Sequence, residues 1–190
     1  MSPSSLLFYV GLDKRLNNLQ HHNLFFDADF DQHAKEIYDN PKWPKNPLFY
    51  LSCPSITDPS LAPKGNENLM FLIPLAPGLE DTNEMREKYF DIVLKRLKDL
   101  TGNDIEKNII FKKSYCVNDF EKDHNSFKGN AYGLANTLRQ TAVLKPRMRN
   151  KKIKNLYYTG QLTVPGPGVP PSIISGQIAA IEIDKYLNKL

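Results

Sequence analysis

The stretch from Asn155 to Ala180, NLYYTGQLTVPGPGVPPSIISGQIAA, constrains the fold more than any other. An apolar strand pattern, Asn155 to Thr159, runs into Gly160, and Pro165, Gly166, Pro167, Gly168, Val169, Pro170 and Pro171 follow shortly after. Glycine permits positive φ and close backbone approach, while proline stiffens the path and donates no hydrogen bond. The order predicts a strand, a rigid bend and a helix beginning near Ser172. The first turn of such a helix carries unpaired N–H groups and the positive end of the helix dipole, which suits an anion. Ser175 and Gly176 are small enough to let another surface come close. Ile173, Ile174, Ile178, Ala179, Ala180, Ile181 and Ile183 make the helix apolar nearly all round, so burial on most sides is expected. The same pattern also fits a rigid connection before a buried helix, with no ligand.

Upstream, short apolar and aromatic runs predict strands at Ser5–Gly11, His22–Phe26, Leu48–Cys53, Glu67–Leu75 and Asn108–Tyr115. Pro74 places the end of the fourth at a sheet edge. A helix is expected over Asp29–Asn40, capped by Asp29, with Phe30, Ala34 and Ile37 on one face. A longer helix is expected from Asn83 to Leu100, where Met85, Tyr89, Val93, Leu97 and Leu100 recur at helical spacing and Gly102 supplies the stop. Asp119–Asn125 reads as one helical turn, Gly129–Gly133 as a loop and Leu134–Leu144 as a short helix. Several strands with few helices argue for an α+β class.

At 190 residues and 41% apolar content, the chain can build a core. The formal net charge of +4 is mild, and no base-reading motif is visible, so nucleic acid is not an expected partner. Cys53 and Cys116 match no metal or CxxC spacing, which fits small apolar fillers in a reducing, cytoplasmic setting. No run approaches the ~18 apolar residues of a membrane span. The N-terminus has no basic segment ahead of its apolar run, so it does not read as a signal peptide.

Several separated segments resemble the carotenoid (phytoene-type) desaturase family. Asn155, Leu156, Tyr157, Gly160, Thr163, Pro165, Gly166, Gly168, Pro170, Ser175 and Gly176 match its C-terminal flavin-contact motif. His21, His22 and Asn23 resemble its HHN segment, and Pro54–Gly65 (PSITDPSLAPKG) its TDPSxAPxG segment. Asp119, Phe120, Gly129, Asn130, Ala131 and Gly133 resemble its DFE…GNAxG segment. The likeness covers nearly the whole chain.

The resemblance implies the C-terminal part of an FAD-dependent oxidoreductase of carotenoid biosynthesis. Such an enzyme introduces conjugated double bonds into a lipophilic polyene by hydride transfer to flavin. Residues 1–125 would belong to the substrate-binding domain, with a mixed sheet and helices. Residues 126–190 would be the C-terminal strand, loop and helix of an FAD-binding Rossmann-like domain whose N-terminal half is absent. The expected cofactor-binding residues are Gly160, Pro165, Gly166, Gly168, Val169, Pro170, Ser172 and Ile173. Gly-Pro-Gly in place of the family's Gly-Ala-Gly, and Pro171 after Pro170, depart from the pattern and remove one donor. No GxGxxG turn occurs, so the segment alone is expected to be inactive and poorly stable. No catalytic residue is assigned. Related flavoproteins (a carotenoid ketolase, a retinol-saturase-like enzyme, an amine oxidase) and a non-catalytic apolar-ligand-binding product are the alternatives.

The remaining candidates have plain structural readings. His21 and His22, adjacent on a strand, should point to opposite faces, so no metal site is expected. Asp58 reads as a turn former, and Asp119 and Glu121 as caps. Lys145, Arg147, Arg149, Lys151, Lys152 and Lys154 form a basic stretch suited either to solvent or to anionic lipid, giving a peripheral membrane association. Among Phe8, Tyr9, Phe25, Phe26, Phe49, Tyr50, Phe71 and Phe111, alternation along strands divides a core from a wall of an apolar tunnel, without saying which is which.

Overall fold

Large apolar residues at alternate positions of the two central strands give the sheet one fully dry face. The computed structural model describes residues 1–141 and 144–188, in two compact units: Pro3–Asn130, and Met1–Ser2 together with Ala131–Leu190. The first unit contains β1 (Ser4–Leu12), β2 (His22–Phe25), α1 (Phe30–Tyr38), β3 (Phe49–Ser52), β4 (Glu67–Leu75), α2 (Asn83–Thr101), β5 (Ile109–Tyr115) and α3 (Val117–His124). Its strands form one sheet in the order β2-β3-β4-β1-β5. The class is α+β, as expected. Every neighbouring pair among the described residues is antiparallel, so the sheet is not mixed. The reason is that β1 inserts between β4 and β5, which run parallel to each other without touching.

Leu6, Phe8, Val10 and Leu12 of β1 and Leu69, Phe71, Ile73 and Leu75 of β4 point to one face and are buried. Helix α2 covers that face with Tyr89, Phe90, Val93 and Leu97, and the Phe90 ring lies 4.8 Å from that of Phe8. Each such side chain contributes about 1.5–3 kcal/mol on burial. The α2 boundaries follow from its caps. Thr82 Oγ1 accepts the Met85 N–H at 3.3 Å, and Gly102 closes the helix at φ 77°. Leu100, expected on the apolar stripe, is exposed. Its helical angle, about 60° on from Met85, keeps it on that stripe between Tyr89 and Val93, but it lies in the last turn of α2, beyond Leu97, the last buried residue of the helix.

Two expectations for β4 and α1 change in detail. Strand β4 is interior, but β3 pairs only with Met70–Leu72, so Pro74 lies past the end of that ladder and breaks no bond in it. In α1, Asp29 caps as expected, accepting from Gln32 N at 3.1 Å. The buried positions are His33 and Glu36, whereas Phe30 is exposed. The polar face wins because His33 ties two backbones together: Nδ1 accepts the Leu48 N–H at 3.1 Å, and Nε2–H donates to Pro74 O at 3.0 Å.

That role requires a neutral imidazole. Burial pushes the His33 pKa below its ordinary value, against the opposing pull of the Pro74 carbonyl and Glu36. A base whose folded pKa is depressed leaves the unfolded chain holding more protons below about pH 6.5. Its stabilising effect is therefore complete above that pH and is lost on acidification toward the lower, folded pKa. Urea midpoints should fall between pH 7 and 5, and His33→Gln should flatten that slope. An unchanged slope in the variant would remove His33 as its source.

The second unit contains α4 (Val169–Leu187). The helix begins three residues before Ser172, so Pro170 and Pro171 stand inside its first turn, where a missing N–H is tolerated. The expected strand at Asn155–Thr159 does not form. Tyr157 makes a single bridge with Arg149, closed by Tyr158 N to Met148 O at 2.7 Å and Asn150 N to Leu156 O at 2.9 Å. Arg149 is the only described residue that pairs with this stretch as a ladder would, and one bridge does not make a strand. The helix expected over Leu134–Leu144 reduces to a 3-10 turn at Leu138–Gln140, with residues 142–143 outside the described residues. Burial of α4 on most sides is not observed either. Ser175 and Ala179 are its buried residues, while Ile173, Ile174, Ile181 and Leu187 are exposed, because the unit supplies no second layer across them.

Candidate functional site

The bend ahead of α4 is held by a short chain of hydrogen bonds. Gly160, at φ 97°, accepts from Thr163 N at 3.1 Å and from Thr163 Oγ1 at 3.0 Å. Its own N–H donates to Ser175 Oγ at 2.7 Å, and that hydroxyl donates to Ser172 O at 2.6 Å. Ser175 is thus a clamp between the bend and the helix, a role beyond its smallness. Gly166 and Gly168 take φ of 142° and 115°, values that L side chains rarely adopt. A Cβ on Gly168 would come within 3.3 Å of Pro171 Cδ, and one on Gly166 within 3.4 Å of Lys145 Cε.

The eight residues singled out in sequence therefore lie on one continuous surface element, with different exposures. Gly166 is buried, Gly160 and Ser172 are half-buried, and Pro165, Gly168, Val169, Pro170 and Ile173 are exposed. Val169 is 75% and Ile173 63% exposed, so the helix start presents an apolar shelf. Its donor supply is smaller than expected. Pro170 and Pro171 have no N–H, and Ser172 N already donates to Gly168 O at 3.0 Å. Two donors of the first turn are missing instead of one, and the N–H groups of Gly168 and Val169 remain.

In the Pro3–Asn130 unit, the sheet face opposite α2 carries no helix layer of that unit. Pairing registers place Leu24, Tyr50, Leu72, Leu7 and Tyr115 in one row across all five strands. Four interstrand spacings make that row about 19 Å long. The next row holds Ser52, Met70 and Tyr9, and Asn68, Gly11 and Phe111 follow. The alternation left open by the sequence is thereby resolved. Tyr9, Tyr50 and Phe111 stand on the open face, and Phe8, Phe25, Phe49 and Phe71 are core. Phe26 follows β2 and is exposed. A concavity of about 380 Å³ on this face is lined by Tyr9, Gly11, Pro54, Met70 and Phe111, among others.

The HHN and TDPS segments meet at the β2–β3 end. His21 Nδ1 bonds Thr57 Oγ1 and His22 Nδ1 bonds Tyr50 Oη, each at 2.6 Å. Their rings lie 4.1 Å apart and do not diverge, because His21 precedes β2 and escapes its alternation. No three His, Cys, Asp or Glu among the described residues are grouped to hold a metal ion. Asp58 closes its turn on Ser60, with Oδ1 accepting from Oγ at 2.6 Å. Sequence reasoning missed Glu67. It is buried, accepts from Ser55 Oγ and meets Arg15 at 3.0 Å, pinning the 53–67 loop to β4. Burial, with Glu67 beside it, pushes the Cys53 thiol up to about 12, and burial does the same for Cys116. Both thiols are inert at neutral pH.

The DFE…GNAxG segment frames the far end of the sheet. Asp119 Oδ2 accepts the Cys116 N–H at 2.9 Å, capping α3, and Arg86 reaches the same carboxylate at 2.8 Å. Gly129, at φ 59°, packs so closely on Val117 that a Cβ would come within 2.6 Å of Val117 Cγ1.

Comparison with known proteins points in one direction. No family model matches the chain. It is 45% identical, over 94% of its length, to a carotenoid 3,4-desaturase of Haloarcula japonica. It is 34% identical, over 89%, to a 4,4'-diapolycopen-4-al dehydrogenase of Metabacillus indicus, and 30% identical, over 92%, to a zeta-carotene-forming phytoene desaturase of Myxococcus xanthus. The chain spans only 36%, 34% and 34% of these relatives. It also shares the fold of part of an oxidoreductase from Methanosarcina mazei, with a TM-score of 0.52, 15% identity, and coverage of 95% of this chain and 34% of that one. The chain belongs to the carotenoid (phytoene-type) desaturase family, as a segment about a third the length of the relatives it matches.

Proposed function

We propose that this chain is the C-terminal part of an FAD-dependent oxidoreductase that introduces conjugated double bonds into a polyene. The observation that carries the reading is the 45% identity over 94% of the chain to a carotenoid 3,4-desaturase, because that span includes both the glycine–proline bend and the open sheet face.

The residues present fit a flavin. Gly168 leaves the exposed part of the bend without a side chain where a flat ring must approach, and Val169 and Ile173 offer apolar contact. The Gly168 and Val169 N–H groups and the positive end of α4 favour negative charge at the edge of such a ring. FAD, when bound, supplies the hydride acceptor. The sheet's outer rows around Leu7, Tyr9, Tyr50, Met70 and Leu72 would hold the polyene and keep water from it. Residues 126–190 are read as a piece of a Rossmann-like FAD-binding domain, and the strand pattern at Asn155–Thr159 as a strand completed by neighbours outside this chain.

The basic stretch supports contact with a membrane surface. Arg147, Arg149, Lys151 and Lys152 line a concavity of about 560 Å³ that no carboxylate enters. Exposed lysines and arginines near an anionic bilayer contribute about 1 kcal/mol each. Lys145 lines the same concavity but is itself only 6% exposed. Among the described residues no helix is long and apolar enough to cross a membrane.

The test is to produce the full-length protein in a host that accumulates a polyene precursor with fewer conjugated double bonds. A yellow, FAD-loaded protein and a product absorbing at longer wavelength are expected. A colourless protein that cannot be reconstituted with FAD ends this reading. A product oxidised at its chain end, without new double bonds, moves the assignment toward the 4,4'-diapolycopen-4-al dehydrogenase relative.

A further inference from the structure

A buried cation lies under the bend without a counter-charge. Lys145 is 6% exposed, and its Nζ donates to Asn136 Oδ1 at 2.7 Å. Asn136 is itself set for this, at φ 55° and with Nδ2 donating to Leu134 O at 3.1 Å, so that its oxygen is left for the ammonium. The Lys145 stem packs on Gly166, where an added Cβ would lie 3.4 Å from Cε and 3.6 Å from Nζ. No Asp or Glu forms an ion pair with Lys145, and every Asp and Glu of the chain is among the described residues. An ammonium has three donors, and burying one against a single neutral amide is costly unless a negative group completes it. The side chain is also aimed at the one element already read as a ring-binding surface.

We propose that Lys145, oriented by Asn136, is a positioning residue that stabilises negative charge on the group bound at the Gly166–Val169 bend. The inference rests on the flavin reading above and adds a named cation to it. Its consequence is electrochemical. A cation held beside the ring favours the reduced, anionic form over the neutral oxidised one, so removing it should make the flavin harder to reduce.

The experiment uses the full-length flavoprotein carrying this segment, with dye-linked redox titration of bound FAD as the readout and circular dichroism as the check on folding. Lys145→Met should lower the equilibrium constant for two-electron reduction by about tenfold, a fall of about 30 mV in midpoint potential. Lys145→Arg, which keeps the charge, should stay near wild type. Asn136→Gly, which tolerates the positive φ and removes the amide that orients the lysine together with its bond to Leu134 O, should give a smaller fall in the same direction and keeps the proposal testable should Lys145→Met fail to fold; Asn136→Ala is read the same way where it folds. Midpoints unchanged in Lys145→Met, or unchanged in Asn136→Gly where Lys145→Met does not fold, would overturn the proposal while leaving the flavin reading intact. Weaker FAD binding without a shift in midpoint would also overturn it, by assigning the charge to some other part of the cofactor. A wild-type protein that takes up no flavin would remove both.

Discussion

Replacing Arg86 by methionine should destabilise the Pro3–Asn130 unit by about 3–5 kcal/mol, the range for a buried ion pair robbed of one partner. Asp81 has no exposed side-chain surface, and Arg86 is 13% exposed. The guanidinium grips Asp81 with both edges, Nε to Oδ1 at 2.7 Å and NH2 to Oδ2 at 2.6 Å. It also meets Asp119 at 2.8 Å and donates to Ser114 Oγ at 3.2 Å. Asp81 Oδ2 takes a further hydrogen bond from Asn118 N at 2.9 Å. One guanidinium thus joins the approach to α2, strand β5 and the start of α3. Without it, Asp81 stays buried with a single N–H for company. Urea unfolding followed by circular dichroism measures the loss. A second change, Asp81→Leu in the Arg86→Met background, should recover much of it, because the stranded carboxylate is then gone. A single-variant loss below about 1 kcal/mol would reduce the network to the rank of a surface pair.

Arg86 also marks where reading the sequence stops. Asp81 and Arg86 are five residues apart, on either side of a helix start, and nothing in composition or periodicity pairs them with Asn118 and Asp119. The parts that could be read are those encoded by local rules. β4 alternates in burial along its whole length and β1 does so from Leu6 onward, because one face is dry, and α2 carries its own cap, stripe and stop. Segments that find no second layer or ladder among the described residues depart from the expectation in a consistent way. The apolar pattern at Asn155–Thr159 describes a strand that needs neighbours, and with Arg149 alone it makes one bridge. The apolar residues of α4 describe a buried helix, yet Ile173, Ile174 and Ile181 are uncovered. In α1 the face was chosen by hydrogen bonds from His33, which hydrophobic periodicity does not register. At the candidate site the bend was legible from its glycines and prolines, and the Ser175 clamp and the Lys145 cation were not. The first depends on backbone atoms, and the second on a side-chain amide, brought together by the fold.

If the open face of the sheet is a wall for a polyene, one charge at its centre should end turnover without unfolding the protein. Leu72 is the middle residue of the row that runs from Leu24 to Tyr115. Its strand neighbours Phe71 and Ile73 hold the core, but Leu72 points the other way and is only half-buried. A glutamate there keeps the β4 ladder intact. A polyene has no group to hydrogen-bond the carboxylate, so binding must either strip its water or neutralise it, at a cost of several kcal/mol. In the full-length enzyme, Leu72→Glu is therefore expected to lower kcat/KM by about 100-fold or more, the equivalent of about 2.7 kcal/mol. Leu72→Met, similar in volume and apolar, should remain close to wild type. Melting temperature and FAD content decide what a loss means. Activity lost with both unchanged places the substrate on this face. Activity lost together with stability shows that the face is packing against protein, because the charge would then be buried in an interface of the enzyme itself. Activity retained shows that neither substrate nor protein covers it, and the polyene must be held elsewhere.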